Sequence, residues 1–282
     1  MKRLLTEQEK SSCPVCASVS GSHIGVVEKN MGLSMSKCAA CGSIYANPLP
    51  TNEELKSFYA GGLRRWSDID SYEEMRDAHT EFYIKLIQKF LNSGAKIDSM
   101  LDIGCGIGML ASRISRQLNL QFSSGIEISE ADCQIAQNRL DKVVCGDICD
   151  PAVLAPFSET DINLITMTDV IEHIANPKLA LLHINKLLSP GGFLLIDTGD
   201  VGGFGARLAG LKTPFLQDEG HVITYTKVGM EVMLNSFGFD VVLSTNEKEV
   251  YKNINDPASL KQKLIRIFTS TPNMILVARK RM

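Results

Sequence analysis

The stretch LDIGCGIGML, residues 101–110, constrains the fold of this chain more than any other segment. An apolar run carrying one acid, Asp102, leads into glycines at every second position, Gly104, Gly106 and Gly108. A turn of this kind between a strand and a helix points backbone N–H groups past the strand's end and lets a ligand approach the main chain. Two ligand classes fail at once. A dinucleotide fingerprint, GxGxxG, needs its third glycine at position 109, where Met109 stands, and a P-loop needs a Gly-Lys-Ser/Thr that does not follow.

From residue 97 onward the text alternates. IDSMLDIG, FSSGIEIS, KVVCGDI, DINLITMTDV, GGFLLIDTG, DVVLST and NMILVARK read as strands. IGMLASRISRQL, SEADCQIAQNRL with Ser129 as its cap, NPKLALLHINKLL and KVGMEVMLNSFGF read as helices. Apolar strands alternating with helices imply a mostly parallel sheet covered on both faces, an α/β class of Rossmann-like form. The last two strands are expected to close the sheet as an antiparallel, hairpin-like addition, with a short helix over 257–268 between them.

The ends of the next two strands carry further acids. Glu127, in GIEIS, is placed to accept hydrogen bonds from two ribose hydroxyls. Asp147, in VCGDI, is placed to accept from an adenine amino group, with Ile128 and Ile148 flanking the ring. Acids at three successive strand ends suit a nucleoside that carries no phosphate. Each acid alone would also serve as a helix cap or a solvated loop residue.

The front of the chain holds a different pattern. Four of the eight cysteines come as CPVC (Cys13, Cys16) and CAAC (Cys38, Cys41). Each CxxC places two thiolates on one knuckle, and two knuckles close a tetrahedral zinc site. Gly42, just after the second pair, suits a knuckle that needs positive φ. Cys145 and Cys149 form CxxxC beside a strand end and are expected as buried thiols. Thr51 with Glu54 three residues on opens a helix as a capping box. A longer helix over 72–91 is expected to bury Tyr72, Met75, Phe82, Leu86 and Phe90. The organisation expected is a ribbon over 1–50, a helical linker or lid over 51–95, and a nucleoside-binding domain over 96–282.

A formal net charge of −3 disfavours nucleic acid as partner. The polar start MKRLLTEQEK and the short apolar runs offer no membrane span, so a cytoplasmic protein without membrane contact is expected. A homo-oligomer is compatible with the composition.

LDIGCGIG, GIEIS, CGDI, DVIEHIANP and LLSPGGFLLID, in this order, resemble the class I S-adenosylmethionine-dependent methyltransferases, over roughly residues 95 to 280. The resemblance implies a seven-stranded sheet with an antiparallel last strand and S-adenosylmethionine as cofactor. It places Asp102, Gly104, Cys105, Gly106 and Gly108 near the methionine part, Glu127 at the ribose, and Asp147 with Ile148 at the adenine. Met167 to Asp169 would end the fourth strand beside the sulfonium. The cysteine ribbon followed by NPLPTNEELKSFY is similar to the N-terminal module of sugar- and secondary-metabolite-tailoring methyltransferases. The C-methylating members carry a further large domain after the core, whereas this sequence ends at Met282, which turns the expectation away from C-methylated sugars. DVIEHIANP also resembles quinone-pathway O-methyltransferases, some of which bind a divalent metal at this segment; Asp169, Glu172 and His173 are the residues on offer.

These resemblances imply methyl transfer to a small-molecule acceptor, chiefly at oxygen. Two other readings stay open: an RNA or protein methyltransferase that docks through the ribbon, and an idle adenosyl-ligand-binding protein. An acceptor hydroxyl needs a base, and His221, in EGHVITYT, and His173 are the candidates, with His221 expected to remove the proton and His173 to position. The glycine-rich segment 199–226 is expected to form a substrate flap lined by Phe204, Leu208, Leu211 and Phe215, with Tyr59, Trp66 and Tyr72 closing the opposite side.

Overall fold

The structure is a computed structural model that describes residues 12–60, 69–246 and 273–282. The expected helix over 257–268 and Trp66 lie outside the described residues.

The ribbon comes first. Strands β1 (Gly21–Val27) and β2 (Leu33–Cys38) form an antiparallel hairpin, and β3 (Ile44–Ala46) pairs with β2. Both CxxC knuckles close through a backbone bond to their first cysteine, Ala17 N to Cys13 O at 2.9 Å and Gly42 N to Cys38 O at 2.9 Å. Gly42 has the expected positive φ of 75°. Its counterpart in the first knuckle is Ala17, at φ 62°, a residue for which that conformation is costlier.

The capping box forms as expected at α1 (Asn52–Ala60): Thr51 N donates to Glu54 Oε2 at 2.8 Å, and Glu54 N donates to Thr51 Oγ1 at 3.2 Å. Next comes α2 (Ile69–Asn92). Its inward face is set by Tyr83, Leu86 and Ile87, all buried, with Phe82 and Phe90 half-buried. Tyr83 turns inward because its hydroxyl finds the buried Asp197 carboxylate to donate to.

The main domain then runs β4 (Ser99–Ile103), α3 (Met109–Leu118), β5 (Phe122–Glu127), α4 (Glu130–Ala136), β6 (Lys142–Cys145), β7 (Ile162–Thr168), α5 (Pro177–Leu187) and β8 (Leu188–Gly199). After two short helices, α6 (Phe204–Ala209) and α7 (Pro214–Gln217), come β9 (Ile223–Thr224), α8 (Lys227–Ser236), β10 (Phe239–Asn246) and β11 (Asn273–Lys280). Local chemistry marks the starts. Ser129 accepts from Asp132 N, Asn176 from Leu179 N with Pro177 in the first turn, and Thr226 from Gly229 N.

Seven strands make one sheet in the order β10-β11-β8-β7-β4-β5-β6. β11 runs antiparallel to both neighbours, while β8, β7, β4, β5 and β6 are parallel. The central strands β4 and β7 are buried at every residue, as parallel strands covered on both faces must be. The Rossmann-like sheet with its antiparallel last strand is therefore as the sequence reads.

Two features differ from expectation. β9, within the segment expected as a flap, pairs antiparallel with β3 and completes a four-stranded sheet with the ribbon. Ala46 N to Val222 O, at 2.8 Å, extends the pairing. Of the lining expected there, Phe204 and Leu208 are about four-fifths exposed, while Leu211 and Phe215 pack against Gly25 and Gly199. The second difference concerns Cys145, which is not a buried thiol: it is exposed and disulfide-bonded to Cys133. α4 lies beside β6, and the two Cα atoms stand 6.0 Å apart, within bonding reach. Cys149 is a buried thiol, as expected.

Candidate active site

The carboxyl ends of β4, β5, β6 and β7 open onto one cleft, at the point where the strand order reverses direction from β4. At its centre is the turn after β4. Gly104 and Gly106 take φ of 70° and 52°. A Cβ on Gly104 would stand 2.4 Å from Val170 Cγ2, so close packing of the loop after β7 requires glycine there. A Cβ on Gly106 would meet nothing within 4 Å, which leaves space over the turn for a ligand.

Glu127 is held against this turn. Its Oε2 accepts from Gly106 N at 2.8 Å and its Oε1 from Ser129 N at 2.9 Å. Burial pushes its pKa up from the ordinary carboxylate value, and these backbone donors oppose the shift. One donor per oxygen fixes the carboxylate yet leaves lone pairs for a ribose diol. Asp102 is buried and accepts from Thr166 Oγ1 at 2.6 Å. Asp147 is braced by Cys149 N at 2.8 Å, with Ile148 and Ile128 beside it in the cleft wall.

Two expected residues take other places. Met167 is fully buried in β7, while Asp169 lines the cleft as expected, together with Thr168. Gly108 packs against Ala136 and Leu140 rather than facing the cleft. Cys105 does line the cleft, beside the glycine turn and packed tightly over Gly125.

The ribbon-side helix α1 covers the part of the cleft lined by Asp147 and Ile148. Leu55, Lys56 and Tyr59 line the cleft opposite the strand ends, as expected for Tyr59. His173, in the short helical turn after β7, lines the cleft beside Tyr59, with Tyr59 Oη 2.7 Å from its Nδ1. Gly220 O lies 3.0 Å from the same nitrogen and can only accept, so in the Nδ1–H tautomer it takes the hydrogen and Nε2 is the basic nitrogen, whereas in the other tautomer Tyr59 Oη donates to Nδ1. His221 stands behind, its ring edge-on to His173 with centroids 4.5 Å apart. Its Nδ1 donates to Phe215 O at 2.7 Å, and its Nε2 is 3.8 Å from Asp218. The structure thus brings the two histidines together and puts His173 at the cleft.

Glu172 is the buried acid beside this pair. Burial, then the neighbouring Asp169 charge, push it up to about 8. The folded state therefore keeps a proton that the unfolded chain releases at ordinary carboxylate pH. Stability should fall as pH rises from about 4.5 to about 8 and level off above. Glu172→Gln should flatten that slope and be the more stable protein at pH 8 by on the order of a few kcal/mol. Urea denaturation at acid and alkaline pH measures this; parallel slopes in both proteins would refute it.

At the ribbon, the four sulfurs of Cys13, Cys16, Cys38 and Cys41 lie within 4.8 Å of one another. Cys13 to Cys41 is 3.7 Å and Cys16 to Cys38 is 3.6 Å. A tetrahedron with Zn–S bonds of about 2.3 Å has edges of about 3.8 Å, so these sulfurs fit such an ion. Hydrogen bonding from Cys13 pulls the Cys41 thiol down to about 4, towards the thiolate a metal needs.

The methyltransferase-domain family model matches residues 72–244, which contain the whole glycine turn, Glu127, Asp147 and the His173 segment. The chain belongs to the class I S-adenosylmethionine-dependent methyltransferases. The methyltransferase is 25% identical to the ubiquinone biosynthesis O-methyltransferase of Alkalilimnicola ehrlichii over 150 residues, 52% of this chain and 59% of that protein. It is 27% identical to norajmaline N-methyltransferase of Rauvolfia serpentina over 106 residues, 36% of each chain. The chain spans less than two thirds of either relative's length. The magnesium protoporphyrin IX methyltransferase of Synechocystis, solved with bound SAH, shares the fold: TM-score 0.54 at 15% identity, over 82% of this chain and 100% of that one.

Three residues in or near the methyltransferase's cleft carry no sequence mark in the reading above. Thr80, on α2, lines the cleft beside the glycine turn, and Asp197, near the end of β8, is buried beneath Tyr83. Asn30 reaches the histidines from the ribbon. An acid ending GGFLLID was a signal available for Asp197; nothing local distinguishes Asn30. Among the described residues no helix is long and apolar enough to cross a membrane.

Proposed function

We propose that the protein transfers a methyl group from S-adenosylmethionine to a small-molecule acceptor, at oxygen, and that its ribbon holds one structural zinc. The observation that carries the reading is His173 on the wall of the cleft, its Nδ1 held between Tyr59 Oη at 2.7 Å and Gly220 O at 3.0 Å, with Nε2 as the basic nitrogen in the Nδ1–H tautomer. Bound in the cleft, S-adenosylmethionine supplies an electrophilic methyl group. The protein's task is then alignment and removal of the acceptor's proton. Glu127 holds the ribose, Asp147 and Ile148 the adenine, and Asp102 with Gly104, Cys105 and Gly106 the methionine end. His173 takes the proton, and His221, braced by Phe215 O, supports its ring. Asp169, in left-handed backbone at φ 54°, closes the cleft between cofactor and acceptor. The O-methyltransferase relative favours oxygen, and both curated relatives are named for small-molecule chemistry.

Transfer of labelled methyl groups tests this, with phenols and catechols, amines, and transfer RNA as acceptors. Label passing to the hydroxyl acceptors supports the reading. Label entering RNA or protein alone would overturn it.

Cofactor binding offers a second check. A hydrogen bond to a charged group contributes roughly 1.5–3 kcal/mol, so Glu127→Ala should weaken S-adenosylhomocysteine binding about tenfold or more. Calorimetry reads this directly. Tight NADH binding with no response to S-adenosylhomocysteine would contradict the cofactor assignment.

A further inference from the structure

Asn30 sits in the turn between β1 and β2 of the ribbon and is completely buried. Its side-chain amide grips one stretch of backbone far along the chain. Nδ2–H donates to His221 O at 2.8 Å, and Oδ1 accepts from Gly220 N at 3.0 Å. Gly220 O in turn lies 3.0 Å from His173 Nδ1, and the His221 ring packs edge-on to that of His173. The gripped segment is closely packed and requires glycine at its first residue. Gly220 has φ 84°, and a Cβ there would stand 2.7 Å from Tyr59 Oη and 3.2 Å from His173 Nδ1.

We propose that Asn30 is a positioning residue for the His173–His221 pair, so that the ribbon orients the acid–base apparatus of the methyltransferase domain. The proposal rests on the reading of that pair as the proton acceptor. A docking role alone would be redundant. The ribbon is already attached by the β3–β9 pairing, by Thr226 Oγ1 donating to Cys41 O, and by Thr226 N donating to Ser43 Oγ at 3.3 Å. Those contacts survive removal of the Asn30 side chain, whereas the two bonds from the ribbon to the Gly220–His221 backbone are lost, leaving His221 N on Asp218 O at 3.4 Å and Val222 N on Glu172 O at 2.9 Å. When Gly220 O shifts, one of the two oxygens that hold His173 Nδ1 moves with it, the other being Tyr59 Oη at 2.7 Å.

The test uses the full-length zinc-loaded protein and its Asn30→Ala variant, with ring nitrogens of ¹⁵N-labelled histidine read by NMR. The expected result is displaced ring signals for both His173 and His221, with zinc content and S-adenosylhomocysteine affinity retained. Turnover of a hydroxyl acceptor such as catechol should fall by about tenfold to a hundredfold in kcat, with KM little changed, because a misplacement of about 1 Å is enough for such a loss. Unmoved ring signals in a folded, zinc-bound variant would overturn the proposal, as would moved signals with undiminished kcat. Should Asn30→Ala fail to fold, Asn30→Asp keeps the acceptor for Gly220 N and removes only the donor to His221 O, and the same readouts decide. Failure of the underlying reading shows separately: His173→Ala would then keep full turnover.

Discussion

Replacing Cys38 with alanine, or stripping the metal with a chelator, should unfold the ribbon while the seven-stranded sheet stays folded. Structural zinc sites contribute on the order of 10 kcal/mol to small modules, more than a module of this size gains from its few buried side chains. The damage should not stop at the ribbon. β9 has β3 as its sheet partner, and Ala46, Ser43 and Cys41 hold residues 222–226 through main-chain and hydroxyl bonds. Hydrogen exchange should therefore rise over 12–46 and also over 220–226, with β4, β7 and β8 remaining protected. Metal analysis of reduced protein is the simplest check, and far less than one zinc per chain would refute the site.

His173→Ala should lower the rate of methyl transfer to a hydroxyl acceptor by about 10² to 10⁴, the usual contribution of a general base. S-adenosylhomocysteine affinity should change only a few-fold, since the proposed cofactor contacts are made by Glu127 and the glycine turn rather than by His173. His221→Ala should cost less, because its ring stands behind that of His173 and is turned to Phe215 O. Single-turnover rates separate binding from chemistry here. A larger loss in His221→Ala than in His173→Ala would return the base to the position that the sequence alone favours. Full activity in both would mean that alignment suffices.

Much of the main domain was legible because its signals are local and repeated. The apolar runs of β4, β7 and β8 are long enough to name themselves, and Ser129, Asn176 and Thr226 announce the helices they cap. The CxxC pairs carry their own geometry. What could not be read depends on distant partners. β9 is two residues long, too short for any periodicity, and is a strand only because Ile44 and Tyr45 lie beside it. Tyr83 was passed over in favour of the phenylalanines, since hydrophobicity says nothing of a hydroxyl with a buried carboxylate to meet. Ala17 takes a conformation its type disfavours because the knuckle's closing bond compels it. At the site, the acids at the strand ends were visible, whereas the facing of His173 and His221 depends on how the loop after β7 meets the segment before β9.

The pairing of β3 with β9 also sets a timetable for synthesis. Thr224 bonds Ile44 across 180 residues of sequence. At usual translation rates of about 5–20 residues per second, the ribbon emerges roughly ten to forty seconds before the strand that completes its sheet. During that interval it can gather its metal, but the outer edge of β3 has no native partner and is open to other strands. The histidine loop acquires its shape only when that late strand arrives. A nascent chain stalled between the ribbon and β9 should thus hold zinc while lacking the backbone frame of the active site.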